Sequence, residues 1–250
     1  MFLRYLALGD SMSIDLYPAL DAGEMDVAVA LERRAAAGAV ARLGAASLLV
    51  ANDDVRWPEF AARDLETRSP GLGVVSLAAD GATIGDLFSE QLPAVEGGED
   101  PALVTLTLGG NDLLGAFGGV ATEARMAAAV RDIAQAYSYC VGEIARRLPG
   151  ATLVLTTVYD PSDGTGEAPG LFEGRRGSLP LEHLDAVNAH IRDVAASTPH
   201  GRLADAHAHF LGHGATAPEA ERWYWRRSII EPGVRGASEL RRVWLEALDL

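Results

Sequence analysis

A single cysteine stands in 250 residues, positive charge is scarce, and no long apolar run occurs along the chain. One thiol, Cys140, excludes an intrachain disulfide, so packing must supply the stability, and a reducing compartment is compatible with the composition. Cys140 falls in an apolar helical stretch, where core packing is its simplest role. Lys plus Arg total 21 against 35 Asp plus Glu, a formal net charge of −14. The cations are scattered or paired with acids rather than gathered into a stripe, so nucleic acid is not expected as a partner. The first apolar run, Phe2 to Leu8, is far shorter than the roughly 20 residues that cross a bilayer. It leads directly into Gly9-Asp10-Ser11, which marks it as a strand rather than a signal peptide. A cytoplasmic protein without a membrane span is the expectation.

What is present is an alternation. Short runs rich in Val, Leu and Thr recur at 2–8, 73–78, 102–108, 151–158 and 202–206. Between them Trp57–Glu66, Ile84–Leu92, Thr122–Leu148, Leu179–Ala196 and Ala237–Leu248 carry apolar residues at spacings of three and four, the mark of helices with one buried face. Strands alternating with helices predict one α/β domain over 1–250, with a parallel five-stranded sheet covered on both faces. Thr122, Pro180 and Ser238 suit helix starts, and Pro149-Gly150 ends the longest helix. About sixty residues separate Ser11 from the second strand, more than one crossover helix needs. Asp15–Asp54 is therefore expected to be an inserted segment bordering the site, with Met25–Leu43 helical. A second irregular stretch, Asp160–Ser178, follows the fourth strand, where open α/β sheets place function.

The chemistry is concentrated where strands end. Gly9-Asp10-Ser11 sets a serine hydroxyl on the turn after the first strand, and Gly109-Gly110-Asn111-Asp112 sets a side-chain amide after the third. A serine hydroxyl needs a base to become a nucleophile, and the oxyanion formed by its attack needs fixed N–H donors. Three donors are suggested: the backbone N–H of Ser11, the backbone N–H of Gly81 and the side-chain amide of Asn111. Gly81 follows the second strand and lacks a Cβ, which allows a carbonyl to approach its backbone. Ser11 could instead cap the following helix, with Ser13 as the fallback hydroxyl, and Asn111 could form an Asx turn. Asp10 and Asp112 are assigned structural roles in the two turns.

With these blocks the chain resembles the SGNH/GDSL hydrolase family. Its members carry Ser in a GDS turn, Gly in a second block, Asn in a GxND block and an Asp-x-x-His pair near the C-terminus. The first three are present in order. The resemblance implies a flavodoxin-like three-layer sandwich and esterase or acylhydrolase chemistry on a small-molecule ester, with no cofactor and no metal. The fourth block departs: the chain reads Ser228-Ile229-Ile230-Glu231-Pro232-Gly233, with Glu231 in the histidine's place and Ser228 in the aspartate's.

Three outcomes follow from that departure. Glu231 itself accepts the Ser11 proton, which requires burial to raise a carboxylate above its reference pKa of about 4.3. Alternatively a histidine from the run His207, His209, His213 serves as base, with Glu231 orienting it. Or catalysis is lost and the cleft only binds a ligand. The same three histidines with Asp205 also have the spacing of a metal cluster, a separate route to hydrolysis. His183, His190 and His200 are expected at the surface. Trp223-Tyr224-Trp225 either wall an acyl or sugar pocket or pack the last loop onto the core. Arg222, Arg226 and Arg227 beside them either balance local acids or meet an anionic substrate group. Acyl length, leaving group and oligomeric state are not encoded in any motif here.

Overall fold

The computed structural model describes residues 1–25, 42–119, 122–168, 171 and 178–250. Five strands, β1 (Arg4–Gly9), β2 (Gly73–Ser76), β3 (Ala102–Thr107), β4 (Ala151–Thr156) and β5 (Gly201–Ala204), form one parallel sheet in the order β2-β1-β3-β4-β5. Register is continuous across the centre, from Arg4 opposite Ala102 to Gly9 opposite Thr107, and from Ala102 opposite Ala151 to Thr107 opposite Thr156. The expected strands each lie within a few residues of these bounds. All six residues of β3 are buried, which is why its sequence is a near-continuous apolar run rather than an alternation.

Alternate residues of the central strands β1, β3 and β4 enter different cores. Leu6 and Leu8, with Val104, Leu106, Leu153 and Leu155, face a layer built from α4 (84–94), α5 (Gly110–Gly119), α6 (Glu123–Arg147) and α7 (Leu181–Ser197). Tyr5, Ala7, Leu103 and Val154 face the opposite layer, built from α2 (Ala45–Val50), α8 (Ala206–Phe210) and α9 (Val234–Ala247). This is a three-layer α/β sandwich with the flavodoxin-like strand order. Each fully buried leucine contributes about 1.5–3 kcal/mol from leaving water. A buried hydrogen bond from Trp244 Nε1 to Thr156 Oγ1 (2.9 Å) pins α9 to the sheet.

Several elements differ from expectation for identifiable reasons. Trp57–Glu66 is no helix: Pro58–Phe60 form a 3-10 turn, and a separate single turn, α3 (Leu65–Arg68), starts at Asp64, whose side chain accepts from Thr67 N. α4 begins on a reciprocal Thr83/Asp86 capping box and contains a π turn at Leu87–Gln91. α6 starts where expected, with Thr122 accepting from Arg125 N. α9 begins a turn before Ser238, which lies inside it. α5 was not expected, because its glycine-rich sequence hides its period. The expected helix at Met25–Leu43 falls almost entirely on 26–41, outside the described residues. The end of that stretch is not an appendage, since Ala45, Ala46, Leu49 and Val50 of α2 are core residues beside α9. Asp15 ties the two ends of the excursion, accepting from Leu43 N, Gly44 N and Ser47 Oγ at 2.7–2.9 Å.

Candidate active site

β1 and β3 are neighbours whose connections leave toward opposite faces of the sheet, and the turns that follow them open a crevice at the strand C-termini. Ser11 comes from the first turn and Asn111 from the second. The Ser11 turn is held from below. Gly9 has φ +123°, and a Cβ there would lie 2.0 Å from Thr107 O, so only glycine allows β1 to pass this close to β3. Gln91 clamps both polar groups of Gly9, accepting from its N–H at 2.9 Å and donating to its carbonyl at 2.8 Å. Thr107 supplies its carbonyl and its hydroxyl to Asp10 N at 2.9 and 3.2 Å. Ser13, the fallback hydroxyl, is sealed at 1% exposure with its hydroxyl on Thr107 Oγ1 at 2.9 Å.

Asp10 accepts from Met12 N at 3.1 Å and closes the turn, the structural role expected of it. Burial pushes its carboxyl up to about 7, opposed by that hydrogen bond and helped by the charge of Asp112. Asp112 accepts from Ile84 N through both oxygens at 3.2 Å, and burial raises it as well.

Glu231 reaches the same crevice from the other end of the chain. Its loop folds back on itself: Trp225 N donates to Glu231 O at 2.8 Å, Tyr224 bridges Pro232, and Tyr159 Oη donates to Ile230 O at 2.6 Å. Ser228, in the place of the family's aspartate, has its carbonyl turned to Glu231 N at 3.3 Å. Glu231 is 8% exposed, and burial pushes its carboxyl up to about 8, with Asp80 and Asp10 adding to the rise and the Ser11 hydroxyl, its hydrogen-bonding neighbour, opposing it. Oε2 of Glu231 is buried with no hydrogen-bond partner among the described residues.

Ser11, Asn111 and Glu231 all line one cleft. Asn111 donates one amide hydrogen to Ala82 O at 3.0 Å, which leaves the second N–H of this amide for the cleft. Gly81 differs. It sits on an exposed turn with φ +72° and open space where a Cβ would be, and it is not among the residues lining the cleft.

The histidines point elsewhere. His209 Nε2 lies 3.0 Å from Glu239 Oε2, His213 stacks on Trp223 with ring centroids 3.7 Å apart, and His207 faces Asp185 at 3.9 Å. None lines the cleft, so an imidazole base from this run has no geometric support, and the three do not converge as metal ligands. Among the described residues the one cluster with ligand-like spacing is Glu123, Glu182 and His183. There His183 is buried rather than on the surface, with Nε2 3.0 Å from Glu123. His190 is half-buried, its Nε2 2.7 Å from Ser138 Oγ, and His200 is exposed. Trp223 and Tyr224 are core residues, so they pack the last loop, while Trp225 meets the Tyr17 ring at 5.7 Å. Arg222 donates to Ala217 O, and Arg226 and Arg227 are exposed. The sequence reading missed Gln91, Thr107 and Asp80. They come from distant segments, and no local motif announces them.

The profile of the GDSL-like lipase/acylhydrolase family matches residues 7–227. The chain belongs to this family. The matched span stops just before Glu231, at the block where the sequence departs from the usual pattern. Solved structures share the fold at low identity. An acetylxylan esterase from Geobacillus stearothermophilus is 17% identical, with 99% of this chain and 94% of that one covered and a TM-score of 0.61. A phospholipase A1 from Streptomyces albidoflavus is 21% identical over 100% and 99%, at 0.56. An extracellular lipase from Streptomyces rimosus is 21% identical over 98% of both chains, at 0.54. No curated protein matches the sequence. Among the described residues no helix is long and apolar enough to cross a membrane.

Proposed function

We propose that this chain is a serine esterase in which Ser11 is the nucleophile and Glu231 is its general base. The observation that carries this reading is the pairing of a strand-end serine with a buried carboxyl, both lining one cleft, in a member of a lipase/acylhydrolase family. A carboxylate near its ordinary pKa is a weak base toward a hydroxyl. A carboxyl pushed up to about 8 by burial accepts a proton at working pH far more readily, and the cost is that only about a tenth is ionised at pH 7.

The steps balance with these residues alone. Glu231 takes the Ser11 proton as Oγ bonds to the acyl carbon, and the charge that develops on the carbonyl oxygen is met by the second N–H of Asn111 and the backbone N–H of Ser11. Gly81 serves as a further donor if substrate bridges from the cleft to its turn. Protonated Glu231 then gives its proton to the departing alkoxide. Water repeats the cycle on the acyl-enzyme, with Glu231 first as base and then returning the proton to Ser11.

A fluorophosphonate probe should label the wild type and spare Ser11→Ala. Equal labelling of both would remove Ser11 from the mechanism. Glu231→Gln should still fold and lose ester hydrolysis by at least about 100-fold, the usual scale of a general base; full activity in that variant would send the base role elsewhere.

A further inference from the structure

We infer that Tyr159 positions the base: its hydroxyl holds the peptide from which the Glu231 side chain leaves the backbone, doing through Ile230 the orienting work that a catalytic triad gives to its acid. The word base rests on the esterase reading, whereas the contact itself does not.

Tyr159 follows β4, lines the cleft, and has its side chain fixed by two packed rings. It stacks on Phe210 with centroids 5.0 Å apart and meets Tyr224 edge-on at 5.0 Å. The backbone just before it is fixed as well. Asn188 of α7, fully buried, accepts from Val158 N and donates to Val158 O, both at 2.8 Å. This repeats, on the base side of the cleft, the amide clamp that Gln91 places on Gly9 beside Ser11. A hydroxyl on so constrained a ring is a fixed point, and it donates to Ile230 O at 2.6 Å.

That carbonyl belongs to the same peptide as the Glu231 N–H. Tyr159 binds its oxygen and Ser228 O accepts its hydrogen at 3.3 Å, so the peptide plane is held at both ends. The Glu231 carbonyl in turn accepts from Trp225 N at 2.8 Å. A glutamate carboxyl sits on several rotatable bonds, so its placement is only as good as the backbone that carries it. Ser228, in the place of the family's aspartate, meets Glu231 through its carbonyl, and the orienting side chain comes from the loop after β4 instead. Burial, with the charge of Glu231, raises the Tyr159 phenol well above its ordinary range and keeps it a donor.

Tyr159→Phe deletes the hydroxyl and keeps the ring. On p-nitrophenyl acetate kcat should fall about 10- to 100-fold, the scale of a misplaced catalytic group, with KM within about twofold. With its peptide loosened Glu231 gains water, so its midpoint should move down from about 8, while Ser11, Asp10 and Asp80, which also bear on it, are unchanged. That midpoint is read without turnover from the NMR shift of the Glu231 carboxyl carbon, assigned by its absence in Glu231→Gln. Tyr159→para-aminophenylalanine, which keeps a weaker donor at the same place, should fall between the two. Tyr224→Phe is the control: it deletes a hydroxyl in the same ring cluster that is buried without a partner among the described residues, and it should change neither readout. If kcat or the midpoint is unchanged in Tyr159→Phe, or Tyr224→Phe changes them equally, the positioning role is overturned and the esterase reading stands. A midpoint that moves in Tyr159→Phe alone, in a protein that hydrolyses no ester, would uphold the hold on Glu231 and remove the esterase reading.

Discussion

The residue on which most turns is Glu231. In the fold it holds its proton up to about 8 against an ordinary 4.5, so the acid form is the one the native state prefers. Two predictions follow with opposite signs. With Glu231 as the proposed base, hydrolysis requires the carboxylate, so kcat/KM should climb about tenfold per pH unit between 6 and 7.5 and level off above 8, as a pH-rate profile would show. Stability moves the other way. A raised folded pKa favours the fold fully below 4.5, and that contribution is lost as pH rises to about 8, at up to about 1.4 kcal/mol per unit. Glu231→Gln removes the ionisation, so its Tm advantage over wild type should widen from pH 5 to pH 8.5 in a melting series; a constant difference would mean that the carboxyl titrates normally. Glu231→His should pull the midpoint of any remaining pH-rate profile down toward 6.5, the ordinary imidazole range.

At the scale of elements, the turn after β1 is the part least tolerant of change. Gly9→Ala would drive a methyl against the Thr107 carbonyl at a backbone angle that alanine avoids. It should cost more than about 3 kcal/mol in urea unfolding. Thr107→Val deletes the hydroxyl shared by Asp10 N and Ser13 Oγ and should cost about 1–3 kcal/mol. This level also shows what a sequence discloses. The central strands were legible because the middle of a parallel sheet is buried on both faces and writes apolar runs, and α6 was legible because 25 residues of period 3.6 are hard to mistake. Trp57–Glu66 misled because Pro58 and the apolar spacing imitate a helix start, while the chain breaks at Ala61 and Ala62, the latter at φ +59°. Ser11, Asn111 and Glu231 could be picked out because each closes a strand-end or motif block. That the imidazoles turn to Glu239, Trp223 and Asp185 could not, because those partners lie in other segments of the chain.

For the whole molecule, the buried acids set where it is most stable. Asp10 and Glu231 weaken the fold as pH rises through 7 and 8. Glu239 works at the other end. Burial alone would raise it, but hydrogen bonds from His209 and Arg242 hold it down to about 2, so its contribution is present above 4.5 and lost on acidification. Tm should therefore peak near pH 4 to 4.5, where the Glu239 contribution is nearly complete and those of Asp10 and Glu231 have only begun to be lost, well below the pH at which the proposed base is ionised. The net charge of −14 acts at a distance as well. Esters presented on neutral or cationic micelles should be hydrolysed faster than on anionic ones, with the gap closing as salt is added.

The hydroxyl of the site is the eleventh residue of the chain and the carboxyl opposite it is the two hundred and thirty-first, with Asp21 of α1 (Leu16–Asp21) reaching across to Val234 N at 2.9 Å. During synthesis Ser11 is made 220 residues before Glu231, so the proposed nucleophile exists long before its proposed proton acceptor. On the proposed mechanism these two distant segments must meet before hydrolysis begins, and a product cut short before Glu231 would carry a mute serine.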